Sequence, residues 1–218
     1  MGLKIKNGVF GKNKSRGSGQ LPEVSLSPLA FVFAAILFVD GTIYALITFA
    51  AAILHELGHL AAALFLRAPI SRISILPLGA VIYLGEMCPY IKEIAIKLAG
   101  CASNLMCAGA AAILRRAFAF SGAADVSAVY FIVCSLALAA FSLLPIRTLD
   151  GGEALYSLLC LWRSPDAAER AVKFTSAIAL VLLWIFAGYL LFYTGGNFTL
   201  MLLCGWLFFA AVLQSGCR

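Results

Sequence analysis

The sequence predicts an all-α membrane protein of about six transmembrane helices, with a short membrane-embedded β hairpin or sheet after the second. Three observations predict it. Of the 218 residues 63% are hydrophobic and only 12% charged, whereas a soluble domain is about half apolar and about a quarter charged. Apolar blocks near the length needed to cross about 30 Å of hydrocarbon recur along the chain. After the second block comes a β-branched stretch, SRISILPLGAVIYLG at 71–85, in which Pro77, Gly79 and Gly85 suit short strands and a turn.

Residues 1–25 read as a flexible basic tail. Lys4, Lys6, Lys12, Lys14 and Arg16 crowd it, and no helical period runs through it. Basic residues directly before an apolar span anchor a membrane protein on the cytoplasmic side more often than they form a nucleic-acid arm. No nucleic-acid partner is therefore expected. The first apolar run closes on Phe38, Val39 and Asp40 without a small-residue cleavage site, which argues against a signal peptide.

The apolar block from Pro28 to Leu66 is too long for one span, and Asp40-Gly41-Thr42 divides it into span one near 26–39 and span two near 43–66. Non-helical backbone such as 71–85 survives at membrane depth only where protein or a water-lined cavity covers it, so a site is expected beside it. Span three covers about 94–114 and span four about 127–144. A loop from Pro145 to Gly152, a short apolar helix at 153–162 and a polar loop at 163–173 follow. Span five covers about 174–193, and span six about 198–214. Residues 26–163 thus form a membrane core, and 164–218 supply two further helices.

Six spans put both termini on one side. Every Lys and Arg except Arg115 and Arg116 falls on that side, so the positive-inside rule places both termini in the cytoplasm of a multi-pass membrane protein. The seven cysteines form no CxxC pair, which argues against a disulfide framework or a thiolate zinc site.

The chemistry concentrates at His55-Glu56-Leu57-Gly58-His59, which holds the two histidines of the chain. Two His four residues apart lie on one helix face, a turn apart, so both rings reach one cation. Glu56 between them is placed to take a proton from metal-activated water. Ionisable residues inside an apolar helix are costly and by default mark a functional site. The bland alternative is a His pair bonded to backbone or to Asp40. A catalytic zinc needs a third protein ligand and an open fourth position. Asp150, just before Gly151-Gly152 at the cytoplasmic end of span four, lies at a similar depth to the two His. A carboxylate there could also be only the N-cap of a helix beginning at Gly151. Capping alone leaves the glycine pair unexplained, because glycines let backbones approach closely.

HELGH in a span, a β-rich stretch containing LPLG at 76–79, AGCASN at 99–104 and SLLPIRTLDGG at 142–152 together resemble the site-2 protease family of intramembrane metalloproteases. The resemblance runs from about residue 27 to 163. It is nearest to the sporulation branch, whose member cleaves a sigma-factor precursor. It implies a bacterial cell-membrane enzyme with one Zn2+ per chain, held by His55, His59 and Asp150, with Glu56 as catalytic base. It also implies that Asn104 binds substrate, that the strand near 72–83 pairs with an unwound substrate segment, and that the partners are the lipid bilayer and a transmembrane or membrane-associated protein. A sigma-factor precursor or an anti-sigma factor is the kind of substrate implied; a membrane regulator or self-association is left open. Two positions depart from the family pattern: Ser142 stands where Asn is usual, and Cys101 where Pro is usual. The alternative reading is a membrane metal-binding or transport protein that uses the same ligands and has no need of Glu56.

Overall fold

Helix α1, Ile43–Phe65, buries Ala51, His55, His59 and Ala63. These are spaced four apart, so they form one seam along the helix. Helix α2, Tyr90–Ala117, carries a matching seam of Ile96, Gly100, Asn104 and Ala108. Small residues on facing seams let two backbones approach closely, which is how helices associate where lipid removes the hydrophobic drive. The pair is tied further by the Ser103 hydroxyl, which donates to the Leu54 carbonyl at 2.8 Å. The computed structural model describes residues 23–26, 43–76, 79–84 and 88–194, with Gly205 and Phe208. The basic tail up to Pro22 and spans one and six lie outside the described residues.

The end of α1 has a definite stop. Arg67 adopts a left-handed backbone, φ 47°. The Ala68 amide then reaches back to the Ala63 carbonyl at 2.9 Å, as in a Schellman ending. The Leu66 carbonyl accepts from Lys92 Nζ at 2.8 Å, so a helix-end carbonyl is satisfied by a lysine of the next helix. Three strands flank this turn: β1 (Glu23–Leu26), β2 (Ile70–Leu76) and β3 (Gly79–Leu84). β2 is central, parallel to β1 with Val24 opposite Ile73, and antiparallel to β3 with Ile73 opposite Ile82. Glu23–Leu26, expected in the tail and the start of span one, thus form a strand. Pairing with β2 satisfies backbone groups that a free tail leaves to water.

Helix α3, Gly122–Ser142, packs against both α1 and α2. Its buried residues Ser135, Ala139 and Ser142 are again small. Tyr130 reaches α1, its hydroxyl 3.1 Å from Thr48 Oγ1 and its ring 4.9 Å from that of Tyr44. At the α2–α3 turn, Arg115 grips Asp125 through Nε and through a second nitrogen at 3.0 Å. Arg115 is held by this forked pair.

Helix α4, Asp150–Cys160, is short, and α5 runs unbroken from Pro165 to Thr194. The polar loop expected at 163–173 is therefore a correction: from Pro165 onward it is helix. Proline is pre-organised for a first helical position, and Glu169 pairs with Lys173 one turn on. Charge marks where α5 leaves the hydrocarbon; it does not break the helix. At 1.5 Å per residue its 30 residues span about 45 Å, beyond the roughly 30 Å core. Among the described residues four helices, α1, α2, α3 and α5, are long and apolar enough to cross a membrane. Large apolar side chains such as Met106, Ile113, Val181 and Phe192 lie on their outer faces, the pattern of a lipid-facing surface. The chain is a membrane protein.

Candidate metal centre

Both imidazoles of α1 point into the seam with α2 and are nearly closed off from solvent, at 5% and 6% exposure. Their Nε2 atoms stand 3.2 Å apart. Asp150, 95 residues beyond His55, brings Oδ2 to 3.1 Å from His55 Nε2 and 3.2 Å from His59 Nε2. Three donor atoms thus mark a small triangle. Among the described residues this is the group of His, Cys, Asp and Glu side chains able to hold a metal ion.

The triangle fits a metal on two physical grounds. Tetrahedral zinc with bonds of about 2.0–2.1 Å separates its ligand atoms by about 3.3 Å, close to the sides observed. The second ground is the chemistry of the donors. His59 Nδ1 donates to the Ile96 carbonyl at 2.7 Å, so in the neutral ring Nε2 carries a lone pair. Asp150 offers an oxygen that only accepts. Lone pairs converging at such distances repel unless a proton or a cation lies between them.

The close approach depends on glycine: a Cβ on Gly58 would lie 2.6 Å from Ser103 Cβ and 2.7 Å from the Ala99 carbonyl oxygen, and three further glycines border the triangle. A Cβ on Gly100 would overlap His59 Nε2 and lie 2.8 Å from His55 Nε2. A Cβ on Gly151 would overlap the Leu143 carbonyl, and one on Gly152 the Ile146 carbonyl. The glycine pair therefore lets the first turn of α4 nest against the loop leaving α3, which delivers Asp150 to the histidines. The N-cap of α4 is Leu149, and Asp150 is already helical. Its side chain bonds the two rings, so the N-cap reading is set aside.

Electrostatics keep Asp150 ionised. Burial pushes its pKa up, but the hydrogen bonds to His55 and His59, with the charges of His59 and Lys97, outweigh burial and hold the carboxyl well below the usual range. Lys97 Nζ lies 3.8 Å from Asp150 Oδ1, the oxygen turned away from the triangle, and 2.5 Å from Glu153 Oε2. The charge of Glu56, half-buried on α1, is felt at both His59 and Lys97. Asn104 is completely buried, and its Nδ2 stands 3.3 Å from His55 Nδ1. Cys101 and Ser142, the departures from the family pattern, are both buried.

The loop before Asp150 is fastened to α5. The Ser176 hydroxyl accepts from the Arg147 amide at 2.9 Å and donates to the Pro145 carbonyl at 3.1 Å. The Arg147 guanidinium sits 4.6 Å over the Tyr156 ring and 3.5 Å from Glu169. Sequence reasoning missed Lys97, Ile96 and Ser176 as parts of the site. A usable signal existed for α2: Ile96, Gly100 and Asn104 share one face, and Lys97 is a charge inside an apolar helix. Ser176 had none.

No family model matches the chain. Stage IV sporulation protein FB of Bacillus subtilis is 29% identical over 174 residues, 75% of this chain and 57% of that protein. The chain thus spans somewhat over half the length of this relative. The solved Site-2 Protease from Methanocaldococcus jannaschii superposes with a TM-score of 0.57 at 21% identity, over 88% of this chain and 90% of that one. The chain has the site-2 protease fold. The fold is the one that the resemblance carried by HELGH and LDGG implies. Within the site-2 protease fold as this chain adopts it, α1 and the α4 entry meet at one triangle of donor atoms.

Proposed function

We propose that this protein is a zinc-dependent intramembrane endopeptidase that hydrolyses peptide bonds of transmembrane or membrane-associated proteins. The observation that carries the reading is the convergence of His55, His59 and Asp150 atoms at 3.1–3.2 Å between helices fit to span a membrane. One Zn2+ held by these three residues would polarise the scissile carbonyl and acidify a bound water. Glu56, one residue from His55, is the general base that takes the proton of the attacking water and passes it to the departing amine.

A substrate helix hides its carbonyls in internal hydrogen bonds, so it must unwind before attack. An edge strand of the β1–β2–β3 sheet would offer replacement backbone partners, the β-augmentation mode of peptide recognition. Burial of the two histidines among the helices would restrict access of bulk water to the site. The Lys and Arg distribution favours a cytoplasmic face for both termini. Because a sporulation protein is among the similar sequences, a membrane-bound sigma-factor precursor or an anti-sigma factor is the substrate class to test first.

The test is co-expression of candidate substrates with wild type and with Glu56→Gln. Wild type should release a shortened product. Glu56→Gln should release none while retaining about one zinc per chain. Cleavage by the variant at the wild-type rate would reject Glu56 as the base. Metal transport that persists undiminished in the variant, with no substrate cut by wild type, would favour a transporter.

A further inference from the structure

Helix α2 supports the two histidines from behind in the same way at two levels. Ile96, Gly100 and Asn104 follow one another at intervals of four along one face. The Ile96 carbonyl accepts a hydrogen bond from Nδ1–H of His59. Gly100 leaves room for both Nε2 atoms. Asn104 stands at the far end, against Nδ1 of His55. A ring that offers an Nε2 lone pair to a cation must carry its proton on Nδ1, and a buried Nδ1–H requires an acceptor. Among the described residues, the group within reach of His55 Nδ1 is the Asn104 amide. Its oxygen Oδ1 is buried and without a hydrogen-bond partner among those residues.

We propose that Asn104 is a positioning residue for the metal centre: its amide oxygen accepts Nδ1–H of His55 and so fixes Nε2 as the donor to the cation. An amide suits this place because it serves both states. With the NH2 toward His55, it donates to Nδ1, and the ring keeps its proton on Nε2, facing Asp150 Oδ2 at 3.1 Å. Turned by half a rotation, it accepts from Nδ1, and Nε2 is free for metal. The amide has the same outline either way, so the turn needs no repacking of the seam. The resemblance implies a substrate contact for this residue; its complete burial beside the His55 ring supports a role toward the metal. This role rests on the metal reading proposed above.

The test uses the full chain in detergent micelles, with 15N label in histidine alone. The chain has just 2 histidines, so the ring nitrogens are few enough to read directly. Zinc-loaded wild type should show both rings protonated at Nδ1 and metal-bound at Nε2. Asn104→Asp, which keeps an acceptor, should bind zinc within a few-fold of wild type with the same ring signals. Asn104→Leu should bind zinc about 10–100-fold more weakly, the usual loss of an outer partner, while His59 keeps its Nδ1 proton. Zinc-loaded wild type with His55 bound through Nδ1 overturns the role without recourse to any variant. So does an Asn104→Leu protein that folds and binds zinc as tightly as wild type. Wild type that takes up no zinc overturns the metal reading itself, a failure distinct from these two.

Discussion

Gly100 faces the ring of His59 with no room for a methyl group, since an added Cβ would overlap Nε2. Two helices have been brought so close that the absence of a side chain on one makes space for the functional atoms of the other. Gly100→Ala should therefore push the rings apart. Overpacking of this kind costs about 1–3 kcal/mol, and the displaced atoms are the proposed ligands. The expected result is a lower Tm and less than one zinc per chain; unchanged zinc content and Tm would mean that the seam opens freely.

Asp150 is the ligand supplied from far along the chain. Asp150→Ala removes the one carboxylate oxygen in the triangle, and zinc should be lost on dialysis against a mild chelator that leaves wild type loaded. Asp150→Asn keeps the shape but not the charge and should fall between the two. Retention of zinc by Asp150→Ala with wild-type affinity would remove Asp150 from the ligand set.

Ser176 links the loop ahead of Asp150 to α5 through two hydrogen bonds. Ser176→Ala leaves the Arg147 amide and the Pro145 carbonyl without that partner, a loss of about 1–3 kcal/mol. Stability should fall accordingly. Zinc should also dissociate faster, because the segment that delivers Asp150 is less firmly held. Stopped-flow chelation separates the two effects.

Acidification should release the metal through the histidines. Imidazoles must be neutral to bind, and they ordinarily change charge between about pH 5 and 8. Asp150, held well below the usual carboxylate range, stays ionised throughout. A depressed carboxyl contributes stability that is present above its unfolded pKa and lost only as pH falls through the folded one. Zinc affinity should therefore fall with decreasing pH across the imidazole range with no separate carboxylate step. A loss confined to more acidic solution would assign the acid limb to Asp150.

Much of the site was legible in the sequence because it is local. A spacing of four residues from His55 to His59 puts both rings on one helix face whatever the rest of the chain does. Apolar length predicted the four described spans for the same reason. Where composition misled, the cause is physical: at 163–173 the charged residues report departure from the bilayer, and a helix is indifferent to that. Asn104 was legible as a polar residue in an apolar helix, but its partner was not.

By itself the sequence determined the membrane class, the two-histidine face with its intervening Glu56, and the glycines that demand close backbone approach. Only the tertiary structure decided that Asp150 meets those rings, that Ile96 and Asn104 stand behind them, and that Ser176 fastens the loop. Helical periodicity is set by backbone geometry within a few residues and can be read from spacing. Contacts between residues up to 95 apart are set by how the helices pack together, and no local rule encodes that.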